Sequence, residues 1–166
     1  MRRTFRSQFS GWALASLFAF LLTPSCTAQF ADPALSSSSA LSIPRADVLQ
    51  PEELRPLLQS NDKPIVLQVG SRIMFAQAHI PGAQYAGPGS QPMGLQLIES
   101  KVAASSKSKA IVIYCGCCPW NRCPNVGPAY KKLRELGFTN VKVLSIPNNF
   151  GDDWVNKGYA VEKGGE

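Results

Sequence analysis

Lys109-Ala-Ile-Val-Ile-Tyr-Cys-Gly-Cys-Cys-Pro-Trp-Asn-Arg-Cys123 is the stretch on which the fold turns. Residues 109–114 form a short, nearly continuous apolar run, the pattern of a strand covered on both faces. Directly after it, Cys115, Cys117, Cys118 and Cys123 fall within nine residues. A disulfide scaffold spreads its cysteines to close long loops, so four thiols crowded into one loop point to chemistry, metal binding or local redox pairing.

The same two-sided pattern recurs on either side. Residues 46–49 read as a short extended segment. Residues 50–59 read as a helix, with Pro51 near its start and Leu54, Leu57 and Leu58 on one face. Residues 64–69 are a second apolar strand, followed by a loop through His79 and a short strand at 84–86. Residues 94–104 read as a helix with Leu95, Ile98 and Val102 along one side. Residues 128–136 form another, with Ala129, Leu133 and Leu136 inward and Gly137 closing it. A strand at 140–144 and a last short helix at 152–157 complete the domain, with Phe150 and Trp154 as core residues. Asp152 and Asp153 read as a pair at that helix start. Strands alternating with helices predict an α/β domain, its mostly parallel central sheet covered by helices on both faces.

The 166 residues suit one domain, and 45% hydrophobic content suits a globular core. The formal charge of +6 overstates the domain's basicity. Arg2, Arg3 and Arg6 precede an apolar run from Trp12 to Leu22 and the small residues Ser25-Cys-Thr-Ala28, the three parts of an export signal. That run is shorter than the ~20 residues a bilayer span needs. Removing residues 1–28 leaves 14 basic against 11 acidic residues, a net +3 with no basic stripe carrying aromatics, so nucleic acid is not an expected partner. Residues 29–44, with Ser36 to Ser39, read as a flexible tether and residues 45–166 as the domain. The chain is expected to be exported, periplasmic or secreted, and monomeric. Cys26 offers a lipoprotein-type membrane tether in a poor box that contains Pro24.

In parallel sheets the reactive groups lie at the carboxyl ends of strands, which places Cys115 at that edge. The helix beginning near residues 125–128 aims its free N–H groups at the loop, and Arg122 adds a cation. Together these features are expected to favour thiolate over thiol and to accept an anion.

At these residues the chain resembles the rhodanese family, over roughly residues 45–163. The resemblance rests on His79-Ile-Pro-Gly-Ala83 after an apolar strand, the strand-end cysteine, the arginine in the next turn, and the joint Leu136-Gly-Phe-Thr-Asn-Val-Lys-Val143. It implies a sulfurtransferase in which Cys115 carries sulfur as a persulfide, with Cys117 the alternative carrier. Arg122 would bind a small anionic sulfur donor, thiosulfate or a mercapto acid, and a thiol would accept the sulfur. Gly116, Trp120 and Asn121 would line the substrate site, and no metal or cofactor is expected. His79, the only histidine, would hydrogen-bond a loop backbone. The departures lie in the loop. The family usually has four residues between cysteine and basic residue, which here fits Cys117, while strand-end position fits Cys115. The family's Asp-x-Arg after the second strand is replaced by Gln68-Val-Gly70.

Cys117, Cys118 and Cys123 add resolving or redox chemistry: a persulfide resolved internally to a disulfide with release of sulfide, or a resting Cys118–Cys123 disulfide. A thiol–disulfide redox protein is therefore the competing function, and a non-catalytic module binding a metal or a partner the third. A phosphatase loop is disfavoured, because no cysteine is separated from Arg122 by five residues.

Overall fold

The computed structural model describes residues 43–165. The expected signal segment 1–28, Cys26, and all of the tether up to residue 42 lie outside the described residues. No helix among them is long and apolar enough to cross a membrane.

Five strands form one sheet: β1 (Val48–Leu49), β2 (Ile65–Gln68), β3 (Gln84–Tyr85), β4 (Ile111–Tyr114) and β5 (Val141–Leu144). Their order across the sheet is β1-β5-β4-β2-β3, and every pairing is parallel. Strand β4 sits in the middle, opposing β2 from Ile65↔Ile111 to Gln68↔Tyr114 and β5 from Ile111↔Val141 to Ile113↔Val143.

Strand residues alternate strictly between two cores, because successive side chains of a strand point to opposite faces. Leu67, Val69, Ile111, Ile113, Cys115, Val141 and Val143 enter one core. It is covered by Ile98 and Val102 of α3 (Pro92–Val102) and by Val126, Ala129, Tyr130 and Leu133 of α4 (Val126–Glu135). Val66, Val112, Tyr114, Leu144 and Ile146 enter the other. There they meet Leu54 of α1 (Pro51–Leu57), Phe75 of α2 (Arg72–Gln77) and Trp154. The helix-covered, two-faced parallel sheet is thus the expected α/β architecture.

Local chemistry explains the helix ends. In α1, Pro51 occupies the first turn, where its missing N–H costs nothing, and the Glu53 carboxylate accepts the Gln50 N–H at 2.7 Å. Helix α4 ends at Gly137, whose φ of +86° closes the last turn where an L side chain is disfavoured.

Four local expectations change. Residues 45–47 form a 3-10 turn, leaving only Val48 and Leu49 extended, and α4 starts two residues before Pro128. Helix α2 falls in the stretch expected to be loop; only Phe75 of it is buried and Ile73 is 71% exposed, so it carries no apolar stripe for periodicity to detect. The expected helix at 152–157 is a π-helical turn, Gly151–Val155. There Asp153 is buried, accepting the Asn148 N–H at 2.7 Å and the Asn148 Nδ2 at 3.0 Å, so it braces the turn after β5; Asp152, exposed, accepts from Asn149 Nδ2 at 2.6 Å, and both lie in the first turn as expected.

Ile113 is fully buried in β4 beneath α3 and α4. Ile113→Ala is expected to cost about 2–5 kcal/mol, transfer loss plus cavity, read as a lower urea midpoint at unchanged slope.

Candidate active site

Strand β4 ends at Tyr114, and the next residue, Cys115, is 3% exposed within the α3–α4 core. Gly116 is buried with φ of +83°, a left-handed conformation that turns the chain back sharply after the strand; a Cβ here would lie 2.9 Å from the Phe150 Cβ. This reversal brings the Cys117 sulfur to 3.1 Å from the Cys115 sulfur. Cys118 follows, 3.2 Å from Cys117 between sulfurs. After the short 3-10 turn Trp120–Arg122 the chain dips inward again, and Cys123 is 7% exposed.

The Cys115, Cys117 and Cys123 sulfurs lie within 4.8 Å of one another, and all four loop cysteines are free thiols. Three soft donors at that spacing are also the groups that would hold a thiophilic metal ion, two of them buried and one exposed. Cys118 stands beside Cys117, half-buried against the α3–α4 core.

The polar surroundings come from residues outside the loop. Asn125, the residue that opens α4, directs Nδ2 to the Cys115 sulfur at 3.5 Å, while its Oδ1 accepts from Ser90 Oγ at 2.7 Å and Ser90 N–H at 3.1 Å. Gln68, buried at the end of β2, donates Nε2 to the Cys115 carbonyl at 3.1 Å and accepts the Gly70 N–H at 3.2 Å. Gly70 leaves room for the thiol, since a Cβ there would stand 2.8 Å from the Cys115 sulfur. The position where the family's charge pair would stand is therefore occupied by a neutral amide that clamps the loop backbone. A cavity of about 170 Å³ opens beside these groups, walled by Gln68, Met74, Tyr114, Cys115, Phe150 and Val155. No charged side chain lines it.

The expected bias toward thiolate is corrected by these surroundings. Hydrogen bonding with Cys123 and burial push the Cys115 thiol well up, and burial raises Cys117 and Cys118 as well. The Cys117 amide N–H, the Cys117 thiol and the Asn125 amide act on Cys115 in the opposite sense. These neutral donors are outweighed because no cation reaches the sulfur. Arg122 is exposed, and its guanidinium makes no hydrogen bond or ion pair among the described residues. Asn121 is exposed too. Trp120 is half-buried against the α3–α4 core, donates its backbone N–H to Ile146 O at 2.9 Å, and lines a separate groove with Ile43, Pro44 and Ser145.

His79 lies elsewhere. It is 5% exposed, stacks on Phe75 with centroids 3.8 Å apart, and its Nδ1 pairs with Phe75 O at 2.8 Å. It also bridges its backbone to Glu162, which ties the C-terminal segment to α2. The structure thus brings together Cys115, Gly116, Cys117, Cys118 and Cys123. It adds Asn125, Gln68, Gly70 and Phe150, none of which the sequence reading placed among the site residues. Asn125 carried a signal as a cap-type residue opening a helix, and Gln68 and Gly70 as the replaced family pair; pairing of β2 with β4 sets those two beside the loop, and the Phe150 N–H reaches Gly116 O at 2.9 Å.

The fold is shared with solved proteins. The BH2092 protein of Bacillus halodurans superposes with a TM-score of 0.53 at 26% identity, over 69% of this chain and 75% of that one. The Alr3790 protein of Anabaena sp. does so with 0.52 at 20% identity, over 70% and 92%. The anaerobic ergothioneine biosynthesis enzyme of Chlorobium limicola, solved with trimethyl histidine, matches with 0.53 at 21% identity, over 69% of this chain and 27% of that one. No curated protein sequence matches the chain. A rhodanese-like domain model matches residues 50–145, a span that holds β2 to β5 and the whole cysteine loop, and the chain belongs to the rhodanese-like domain family.

Proposed function

We propose that the protein is a sulfurtransferase that carries sulfane sulfur as a persulfide on Cys115, taking it from a small donor anion and passing it to a thiol. Rhodanese-like domains are in general sulfurtransferases. The observation that carries the assignment is the position of Cys115: a buried sulfur at the carboxyl end of the central strand, facing an amide donor at 3.5 Å, in a residue that contributes to the wall of a small cavity. Cys117 has the family's spacing to Arg122, but it is exposed and lines no cavity wall with Tyr114 and Phe150. Cys115 is therefore the carrier.

The step is a displacement at sulfur. The Cys115 sulfur gives up its proton and attacks the outer sulfur of the donor, the bond from that sulfur to the donor breaks, and the leaving group, sulfite or the enolate of pyruvate, takes the bonding electrons and the proton. The Asn125 amide and the Cys117 N–H stabilise the charge on Cys115. The cavity of about 170 Å³ suits a donor of few atoms, and Arg122, on the same loop, is the cation available to an approaching anion. We further propose that the protein acts after export, on the strength of the cationic start, apolar run and small residues of its first 28 positions.

Crowding of the thiols supports a second function, a dithiol–disulfide relay through the same loop. Intact mass, read with the co-product, separates the two. Thiosulfate or 3-mercaptopyruvate is expected to transfer one sulfur to the reduced protein with release of one equivalent of sulfite or pyruvate, and an adduct of about 32 Da is held wherever a neighbouring thiol does not resolve it. Cys115→Ser is expected to abolish the adduct and lower sulfur transfer on the order of a thousandfold. An adduct that persists in Cys115→Ser moves the carrier to another cysteine, and loss of about 2 Da with no release of sulfite or pyruvate favours the relay.

Gly70→Ala tests the site's geometry. Its Cβ would crowd the Cys115 sulfur and Gln68 Nε2 at 2.8 and 2.9 Å. Displacing the thiol is expected to slow adduct formation by roughly tenfold to a hundredfold, with the far-ultraviolet circular dichroism unchanged.

A further inference from the structure

A persulfide has two sulfurs open to attack, and the outcome depends on which is reached. A thiol that attacks the outer sulfur takes it away. One that attacks the inner sulfur, the cysteine's own, expels the outer sulfur as sulfide and leaves a disulfide. The second outcome requires a thiol held against the inner sulfur itself.

Cys117 is so placed. Its sulfur is 3.1 Å from that of Cys115, so a disulfide of ~2.05 Å forms with an approach of about 1 Å. Gly116 makes this possible, since its φ of +83° folds the two flanking residues onto the same side. The burial of the two partners differs in a useful sense. Cys115 is 3% exposed, which keeps outside thiols from the inner sulfur, whereas Cys117 is exposed. Cys123, the other sulfur within 4.8 Å, is buried and closed to a large reductant.

We propose that Cys117 is the resolving thiol of the persulfide, and that the protein thereby reduces sulfane sulfur to sulfide and ends each turnover as a Cys115–Cys117 disulfide. This rests on the persulfide assigned to Cys115 above. In the step, the Cys117 sulfur bonds to the Cys115 sulfur while the bond to the outer sulfur breaks. The outer sulfur leaves as hydrosulfide, taking the bonding pair and the proton given up by Cys117. The sulfane sulfur gains two electrons and the two thiols lose them. An external dithiol, attacking at exposed Cys117, then restores both thiols and leaves as its own disulfide.

The experiment uses the full chain, reduced and freed of reductant, with thiosulfate and in parallel with 3-mercaptopyruvate. Sulfite or pyruvate reports persulfide formation; sulfide reports resolution. Wild type is expected to release one equivalent each of co-product and sulfide and to lose about 2 Da, and to turn over continuously only with an added dithiol such as dithiothreitol or reduced thioredoxin. Cys117→Ser is expected to release the co-product but at least tenfold less sulfide, holding the ~32 Da adduct. Co-product without sulfide from wild type, with the adduct persisting, overturns the resolving role and leaves the persulfide assignment standing. Undiminished sulfide from Cys117→Ser assigns resolution to another cysteine and overturns it as well. Absence of co-product with both donors overturns the persulfide assignment and this step with it.

Discussion

Strand β4 has no side that faces water. Its alternate residues fill two separate cores, Ile111 and Ile113 beneath α3 and α4, Val112 and Tyr114 beside Phe75 and Trp154. A chain leaving such a strand cannot drift to the surface at once. Cys115 continues the alternation and enters the α3–α4 core as though it were one more strand residue. Its sulfur is therefore held by the packing of the whole domain, and the remaining site residues are positioned relative to it.

That constraint also sets the chemistry of the loop. A buried sulfur must be satisfied locally, and here its partners are neutral: Cys123, Cys117 and the Asn125 amide. Without a cation at contact distance, the hydrogen bond with Cys123 and burial together push the thiol up. The loop makes up for this by proximity. Gly116 reverses the chain so that a second sulfur stands at 3.1 Å, and Gly70 and Gln68 of the neighbouring strand leave space and hold the loop backbone. The result is a site organised around sulfur–sulfur contact, with Arg122 outside it.

Much of the fold was legible in advance for a simple reason. Residues 64–69 and 109–114 are apolar on both faces, which only a covered parallel strand tolerates, and the Leu54, Ile98 and Leu133 faces repeat at helical spacing. Helix α2 was not legible, because its single buried residue, Phe75, is fixed by a stack on His79 from the next turn of chain. The π-helical turn was hidden likewise: Asp153 stays buried through bonds to Asn148, and local pattern cannot announce such pairing.

For the site, the residues of the loop and the strand-end place of Cys115 are properties of the sequence alone. They follow from hydrophobic pattern and from the rarity of four thiols in nine positions. Which sulfurs meet was decided only in three dimensions. Linear spacing pointed to Cys118 and Cys123 as the easier pair and to Arg122 as the anion site. The left-handed turn at Gly116 also places Cys117 on Cys115, and the short 3-10 turn leaves Arg122 exposed. Spacing along a chain limits how far two groups can lie apart; backbone dihedrals and the packing of neighbouring strands decide which of them touch.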